Sequence, residues 1–216
     1  MAGYNAREVR RCYDLSADEY AKHFLNELDG KPYDRSVIER FSQMVPSRGL
    51  VYDFGCGCGH TTNFLAGFGR QTVIGLDFSE KSIELARRLF PKNQFDVDDM
   101  LSSHMEPGSA EGIIAFYAIV HFCYREVEKT LGEWFRLLKP GGYCLFSFHV
   151  GRGTLSVDNF LDIEGACATW RFLNTDRVLG HAESTGFLPY EVVERYPYAD
   201  AEHPSKRAYV ILQKPT

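Results

Sequence analysis

The sequence predicts an α/β fold: a mostly parallel sheet with helices on both faces and one antiparallel pair at its end. Three observations carry this. A short apolar run, 50–54, turns directly into Gly55-Cys56-Gly57-Cys58-Gly59. Short apolar runs then alternate with helix-length segments as far as residue 148, the signature of βα units. Finally, the runs 190–196 and 207–212 are separated by only about ten residues, too few for a right-handed crossover with a full helix, so they pair antiparallel.

The elements follow in order. Ser16 and Glu19 form a capping box, and Tyr20, Phe24 and Leu28 make an apolar stripe ending at Gly30. A second helix spans 33–45, with Val37, Ile38, Phe41, Met44 and Val45 inward, and stops at Pro46. Strands are predicted at 50–54, 72–76, 94–97, 112–117, 142–148, 190–196 and 207–212. Ser79 caps a helix over 80–90, and Lys139-Pro140-Gly141-Gly142 stops one over 126–138. A late helix, 175–185, leads through Gly186-Phe187. Segment 149–173 has no clean period and is expected to form an excursion over the sheet's carboxyl edge, opposite an amino-terminal helical lid, 1–46.

A chain of 216 residues buries roughly 70% of its extended surface, so one domain, 1–216, is expected. The net charge of -5, from 29 acidic and 24 basic residues, argues against a nucleic-acid partner. No segment approaches the ~20 apolar residues that span a bilayer, and a cytoplasmic location follows. Cys12, Cys123, Cys144 and Cys167 read as buried thiols. Cys56 and Cys58 are spaced too closely for a zinc pair, so no metal is expected.

Ligands of open α/β sheets lie beyond the carboxyl ends of the strands. Gly55, Gly57 and Gly59 allow close backbone approach there, and Asp53 orders the loop or fixes a cationic group above it. A dinucleotide loop places its third glycine where this chain has His60. Asp77, ending the second strand, suits both hydroxyls of a ribose. Phe78 suits one adenine face, and Asp98-Asp99-Met100 offers a carboxylate for the adenine amino group and an apolar flank. Of the two acids Asp99 is preferred. S-adenosylmethionine meets these demands without a pyrophosphate.

These motifs resemble those of class I S-adenosylmethionine-dependent methyltransferases of the small-molecule type. Residues 51–59 are similar to the family's first motif, which implies that Asp53, Gly55, Cys56 and Gly57 hold the methionine portion. Gly75-Leu76-Asp77-Phe78-Ser79 resembles the ribose-binding strand end. Val97-Asp98-Asp99-Met100 resembles the adenine-binding turn, with Asp98 where glycine is common. Leu137 to Gly142 resembles the turn entering strand five. The resemblance, covering about residues 13–214, implies a Rossmann-like seven-stranded sheet ordered 3-2-1-4-5-7-6 with strand 7 antiparallel.

The fourth strand end lies beside the expected methyl group. Phe116 offers an aromatic face to a sulfonium, and Tyr117 and His121 are the catalytic candidates, His121 as a base. Tyr13, Tyr20 and Phe24 are expected to cover the cofactor from the first helix, with His149, Arg152, Trp170 and Arg171 opposite. The expected reaction is methyl transfer to an O, N, S or C atom of a small metabolite, by a monomer or homodimer without nucleic acid or membrane. The competing readings are a non-catalytic S-adenosylmethionine-binding regulatory module and an NAD-dependent oxidoreductase. The latter explains Asp77 but not the shifted glycine.

Overall fold

Residues of both parities are apolar along the central strands, so those strands are buried on two faces. The structure, a computed structural model, describes residues 3–216; the first two residues of segment 1–46 lie outside it. The strands are β1 (Leu50–Phe54), β2 (Thr72–Asp77), β3 (Gln94–Val97), β4 (Ala110–Phe116), β5 (Leu138–Val150), β6 (Thr154–Val157), β7 (Ala168–Arg171), β8 (Leu188–Arg195) and β9 (Lys206–Gln213). The helices are α1 (Ala6–Phe24), α2 (Pro32–Met44), α3 (His60–Ala66), α4 (Glu80–Leu89), α5 (Tyr124–Leu137) and α6 (Thr175–Thr185).

Seven strands form one sheet in the order β3-β2-β1-β4-β5-β9-β8. With the separate β6–β7 hairpin left out of the count, this is the expected 3-2-1-4-5-7-6 order. β9 runs antiparallel to both β5 and β8. Val51, Ile114, Leu145, Tyr209 and Ile211 pack on one face against Val37, Ile38 and Phe41 of α2 and Leu65 of α3. Tyr52, Phe54, Ile113, Ala115, Phe146 and Val210 pack on the other against Leu131 and Trp134 of α5 and Val178 of α6. Thus α2 is a core helix, and within 1–46 it is α1 and the turn after it that reach the carboxyl edge.

The expected capping box is corrected. α1 begins ten residues before Ser16, and its cap is Asn5, whose Oδ1 accepts from Glu8 N at 3.3 Å. Ser16 is fully buried inside the helix and donates to the Cys12 carbonyl at 2.8 Å. The inward stripe of α1 starts at Val9 and Cys12. Arg7, Arg10 and Arg11 interleave with it and hide its period from a search for apolar runs. The cysteine expectation is also amended: Cys12, Cys56, Cys58 and Cys144 are buried, Cys123 and Cys167 partly exposed, and all six are free thiols. Among the described residues no helix is long and apolar enough to cross a membrane.

Candidate active site

The glycine turn is held against the end of β2. The Gly55 and Cys56 amides both donate to the Leu76 carbonyl, at 2.7 and 3.1 Å. Gly55 has φ +68°, and a Cβ there would lie 2.5 Å from Ala118 Cβ. Gly55→Ala is therefore expected to destabilise the fold by about 1–3 kcal/mol or more, through positive φ and overlap together. A thermal melt checks this, and an unchanged Tm would refute it. Gly59, with φ +86°, opens α3; a Cβ there would meet the Phe95 ring at 2.7 Å.

Three carboxylates converge beyond these strand ends. Asp53 is buried and accepts from Thr62 Oγ1 at 2.6 Å through Oδ2. Burial pushes its pKa up to about 7, against the Thr62 hydrogen bond. Asp77 accepts one backbone amide at each oxygen, Ser79 N at Oδ1 and Gly57 N at Oδ2, both at 2.9 Å. Each oxygen keeps a lone pair. Burial raises its pKa to about 6. Asp99 accepts from Leu101 N at 2.9 Å through Oδ1, leaving Oδ2 without a partner.

Asp98 is placed differently. Its Oδ1 takes the Asp99 amide at 2.8 Å and lies 3.1 Å from His104 Nδ1, and its Oδ2 takes the Ser103 hydroxyl. Its carboxylate thus folds the turn, leaving Asp99 as the acid with a free acceptor. Phe78, Met100 and Tyr4 line the same small cavity, of about 70 Å³, as Asp77 and Asp99. Tyr4 had no signal in the sequence. The free acceptor at Asp77 fits a ribose, that at Asp99 with the apolar walls beside it an adenine and its amino group, and the buried Asp53, on the wall of a larger adjoining cavity, an ammonium. Among the described residues no group of three His, Cys, Asp or Glu side chains is placed to hold a metal ion.

A second cavity, of about 610 Å³, adjoins the first and shares Tyr13, Tyr20, Gly55, Phe116 and Tyr117 with it. Asp53 and Cys56 line this larger cavity, and Gly57 the smaller one. At the junction Tyr13 of α1 meets His121. The His121 Nδ1 is 2.8 Å from the Thr169 carbonyl, which can only accept, so Nδ1 carries the proton. Nε2 is then an acceptor, and the Tyr13 hydroxyl donates to it at 2.9 Å. Burial lowers the His121 pKa to about 4, so the ring is neutral at physiological pH. The sequence treated Tyr13 as cover only; its partnership with His121 spans 108 positions and leaves no local trace.

The other catalytic candidate, Tyr117, directs its hydroxyl to Tyr209 Oη at 2.9 Å, away from Tyr13. Tyr117 lines both cavities. Among the residues expected opposite α1, His149 and Trp170 line the larger cavity and Arg152 and Arg171 do not. Arg152 is exposed. Arg171 is buried and braces the site from behind, its Nε donating to the His121 carbonyl at 3.2 Å. Besides the His60 imidazolium paired with Glu27, the cations that line the cavity are Lys31 and Arg207. A signal for Arg207 existed: β9 is antiparallel, so its first residues lie at the carboxyl edge of the parallel strands.

Residues 51–142 match the family described as a methyltransferase domain. The methyltransferase GfsG of Streptomyces halstedii is 31% identical over 158 residues, covering 70% of this chain and 55% of that protein. The sterol 24-C-methyltransferase erg6 of Aspergillus fumigatus is 28% identical over 151 residues, covering 62% and 40%. The chain thus spans about half the length of the curated relatives it matches. A solved structure of Haemonchus contortus phosphoethanolamine N-methyltransferase 2 in complex with S-adenosyl-L-methionine superposes with TM-score 0.73 at 17% identity, over 94% of this chain and 57% of that one. The strand order and the glycine turn agree with these matches. Residues 51–142 are by the family match a methyltransferase domain, set in the class I S-adenosylmethionine-dependent methyltransferase fold.

Proposed function

We propose that the chain methylates a proton-bearing oxygen or nitrogen of a small molecule. The observation that carries this is the Tyr13 hydroxyl, donated to a neutral imidazole where the two cavities meet. Bound S-adenosylmethionine supplies an activated methyl group on a sulfonium. The protein's part is to align the acceptor, exclude water and receive a proton. Tyr13 Oη keeps a lone pair that accepts a hydrogen bond from the acceptor's O–H or N–H, turning the heteroatom's own lone pair toward the methyl carbon. As the new bond forms and the carbon–sulfur bond breaks, the heteroatom becomes cationic and acidic. Its proton passes through Tyr13 to His121 Nε2, a weak base that suffices for so acidic a donor.

In this reading Asp77 holds the ribose, Asp99 the adenine amino group with Phe78 and Met100 beside the ring, and Asp53 the ammonium of the methionine portion. α1 and the excursion 149–173 form the cover within a single domain, 1–216. The six free thiols accord with a reducing, cytoplasmic setting.

Calorimetry with S-adenosylmethionine, S-adenosylhomocysteine and NAD tests the donor, and preference for NAD would sink the reading. Methyl release across a panel of alcohols, phenols and amines tests the transfer. Binding without release across that panel would favour a regulatory module instead. Acidity offers a further check. Because Asp53 and Asp77 sit near 7 and 6 before a ligand arrives, an ammonium at Asp53 and ribose hydroxyls donating to Asp77 favour their ionised forms and release protons. The association constant for S-adenosylhomocysteine is expected to fall about tenfold or more from pH 7.5 to 5.5. A flat profile would remove both carboxylates from the contact.

A further inference from the structure

We infer that the inner end of the larger cavity is an oxyanion site, formed by Arg207, Lys31 and His149, which receives a carboxylate or phosphate of the methyl acceptor. This rests on the methyl-transfer reading above and specifies the class of its substrate.

The three groups surround one ring. Tyr117 is held at φ +51°, an unusual backbone conformation for a residue with a side chain. His149 stacks on its ring with centroids 5.2 Å apart. Lys31 Nζ is 5.1 Å and Arg207 Cζ 5.9 Å from the same ring centroid. Arg207 and His149 are register partners on β9 and β5.

Hydrogen-bond capacity decides what this end can bind. Arg207 is buried, at 2% exposure. Its Nη1 donates to the His203 and Ser205 carbonyls at 3.2 and 2.8 Å, and its Nε lies 3.1 Å from Glu202 Oε1 in an ion pair without hydrogen-bond geometry. Its Nη2 has no hydrogen bond, and the residue lines the cavity. Lys31, itself buried, donates one hydrogen bond, to Glu27, and an ammonium has two more to give. With Ser205 Oγ donating to His149 Nδ1, 2.8 Å away, the neutral ring carries its proton on Nε2, an unpaired donor.

The acids that line the cavity near these cations are already engaged. Glu202 holds Arg195 through both oxygens at 2.7 Å, and its Oε2 also takes the Tyr198 amide at 2.7 Å. Glu27 holds Lys31 at one oxygen and His60 Nε2, 2.9 Å away, at the other. Burial opposes charge on His60, but Cys58 and Glu27 outweigh it and push its pKa up to about 10, so Glu27 answers two cations. Burial, then Arg207, His203 and Lys31, lower His149 to about 4, as expected beside a concentration of positive charge. Asp34, within electrostatic reach of Lys31, is held through Oδ1 by Arg195 and Tyr209 and does not line the cavity. Unused donors that face a cavity whose nearby acids are engaged are complementary to an oxyanion. The aromatic walls, including Tyr20, Phe24, Phe160 and Trp170, suit the apolar body that carries it.

The test titrates phenyl phosphate, benzoate and neutral benzyl alcohol into the full chain, free and saturated with S-adenosylhomocysteine. The anions are expected to bind at least tenfold more tightly than benzyl alcohol, and Arg207→Met and Lys31→Met each to erase that preference. S-adenosylhomocysteine affinity, unchanged within twofold, reports that the variants are folded; if Arg207→Met fails this control, Lys31→Met decides. Tighter phenyl phosphate indicates a phosphate-bearing acceptor, tighter benzoate a carboxylate, and either supports the site. Equal binding of benzyl alcohol, or an anion preference that survives both substitutions, would overturn it. Anion binding in a protein that ignores S-adenosylhomocysteine would instead retire the methyl-transfer reading and leave the oxyanion site standing.

Discussion

Tyr13→Phe is expected to lower turnover about 10²- to 10⁴-fold, the usual size of a general acid–base contribution, while S-adenosylhomocysteine affinity stays within twofold. The substitution removes one oxygen and preserves the ring contacts with Tyr20 and Phe160. The loss should therefore fall on kcat rather than KM. Wild-type turnover would refute the relay. His121→Asn provides the companion measurement, because an amide cannot take up the proton. A purely structural role for His121 would lower stability and leave kcat intact.

The pH dependence of kcat, measured at saturating cofactor, separates these cases further. His121 near 4 remains an acceptor at neutral pH, so kcat is expected to be level from pH 8 to 5 and to fall only as the imidazole protonates. Its folded pKa lies below its ordinary 6.5, so the unfolded chain binds this proton more readily. Acidification from 6.5 toward 4 consequently favours unfolding. The folded fraction must be followed in parallel, and kcat normalised to it.

Asp77→Ala is expected to weaken S-adenosylhomocysteine binding about 100-fold or more, since two hydrogen bonds to a charged group are lost. The local consequences add to this. The Gly57 and Ser79 amides lose their acceptor, so the glycine turn is no longer tied to the start of α4. Asp77→Asn separates the two effects: one oxygen remains to order the turn, while the charge is gone. Calorimetry reads both variants, and an unchanged affinity for Asp77→Ala would refute the ribose assignment.

Much of this protein is local in sequence and was legible there. The parallel strands read as continuous apolar runs because helices cover both faces, and the short connection before β9 dictated its antiparallel direction. The glycine turn and the acids at strand ends lie within single βα units, where a few consecutive residues define the geometry. Asp99 could be preferred over Asp98, but only the folded turn reveals why: Asp98 is consumed by Ser103 and His104, several residues on. The start of α1 was misplaced because its arginines mask the buried stripe and Ser16 bonds back into the helix it was expected to begin.

By itself, then, the sequence determined the sheet, its antiparallel end and the placing of the strand-end acids proposed to hold the methyl donor. Tertiary structure alone decided the side proposed for the acceptor. Tyr13 meets His121 from 108 positions away, and Lys31, His149 and Arg207 come from three distant segments to surround Tyr117. Periodicity and capping describe a chain's relation to its near neighbours. A constellation assembled across the carboxyl edge depends on strand order and direction, and on which donors are left unpaired once the core has formed.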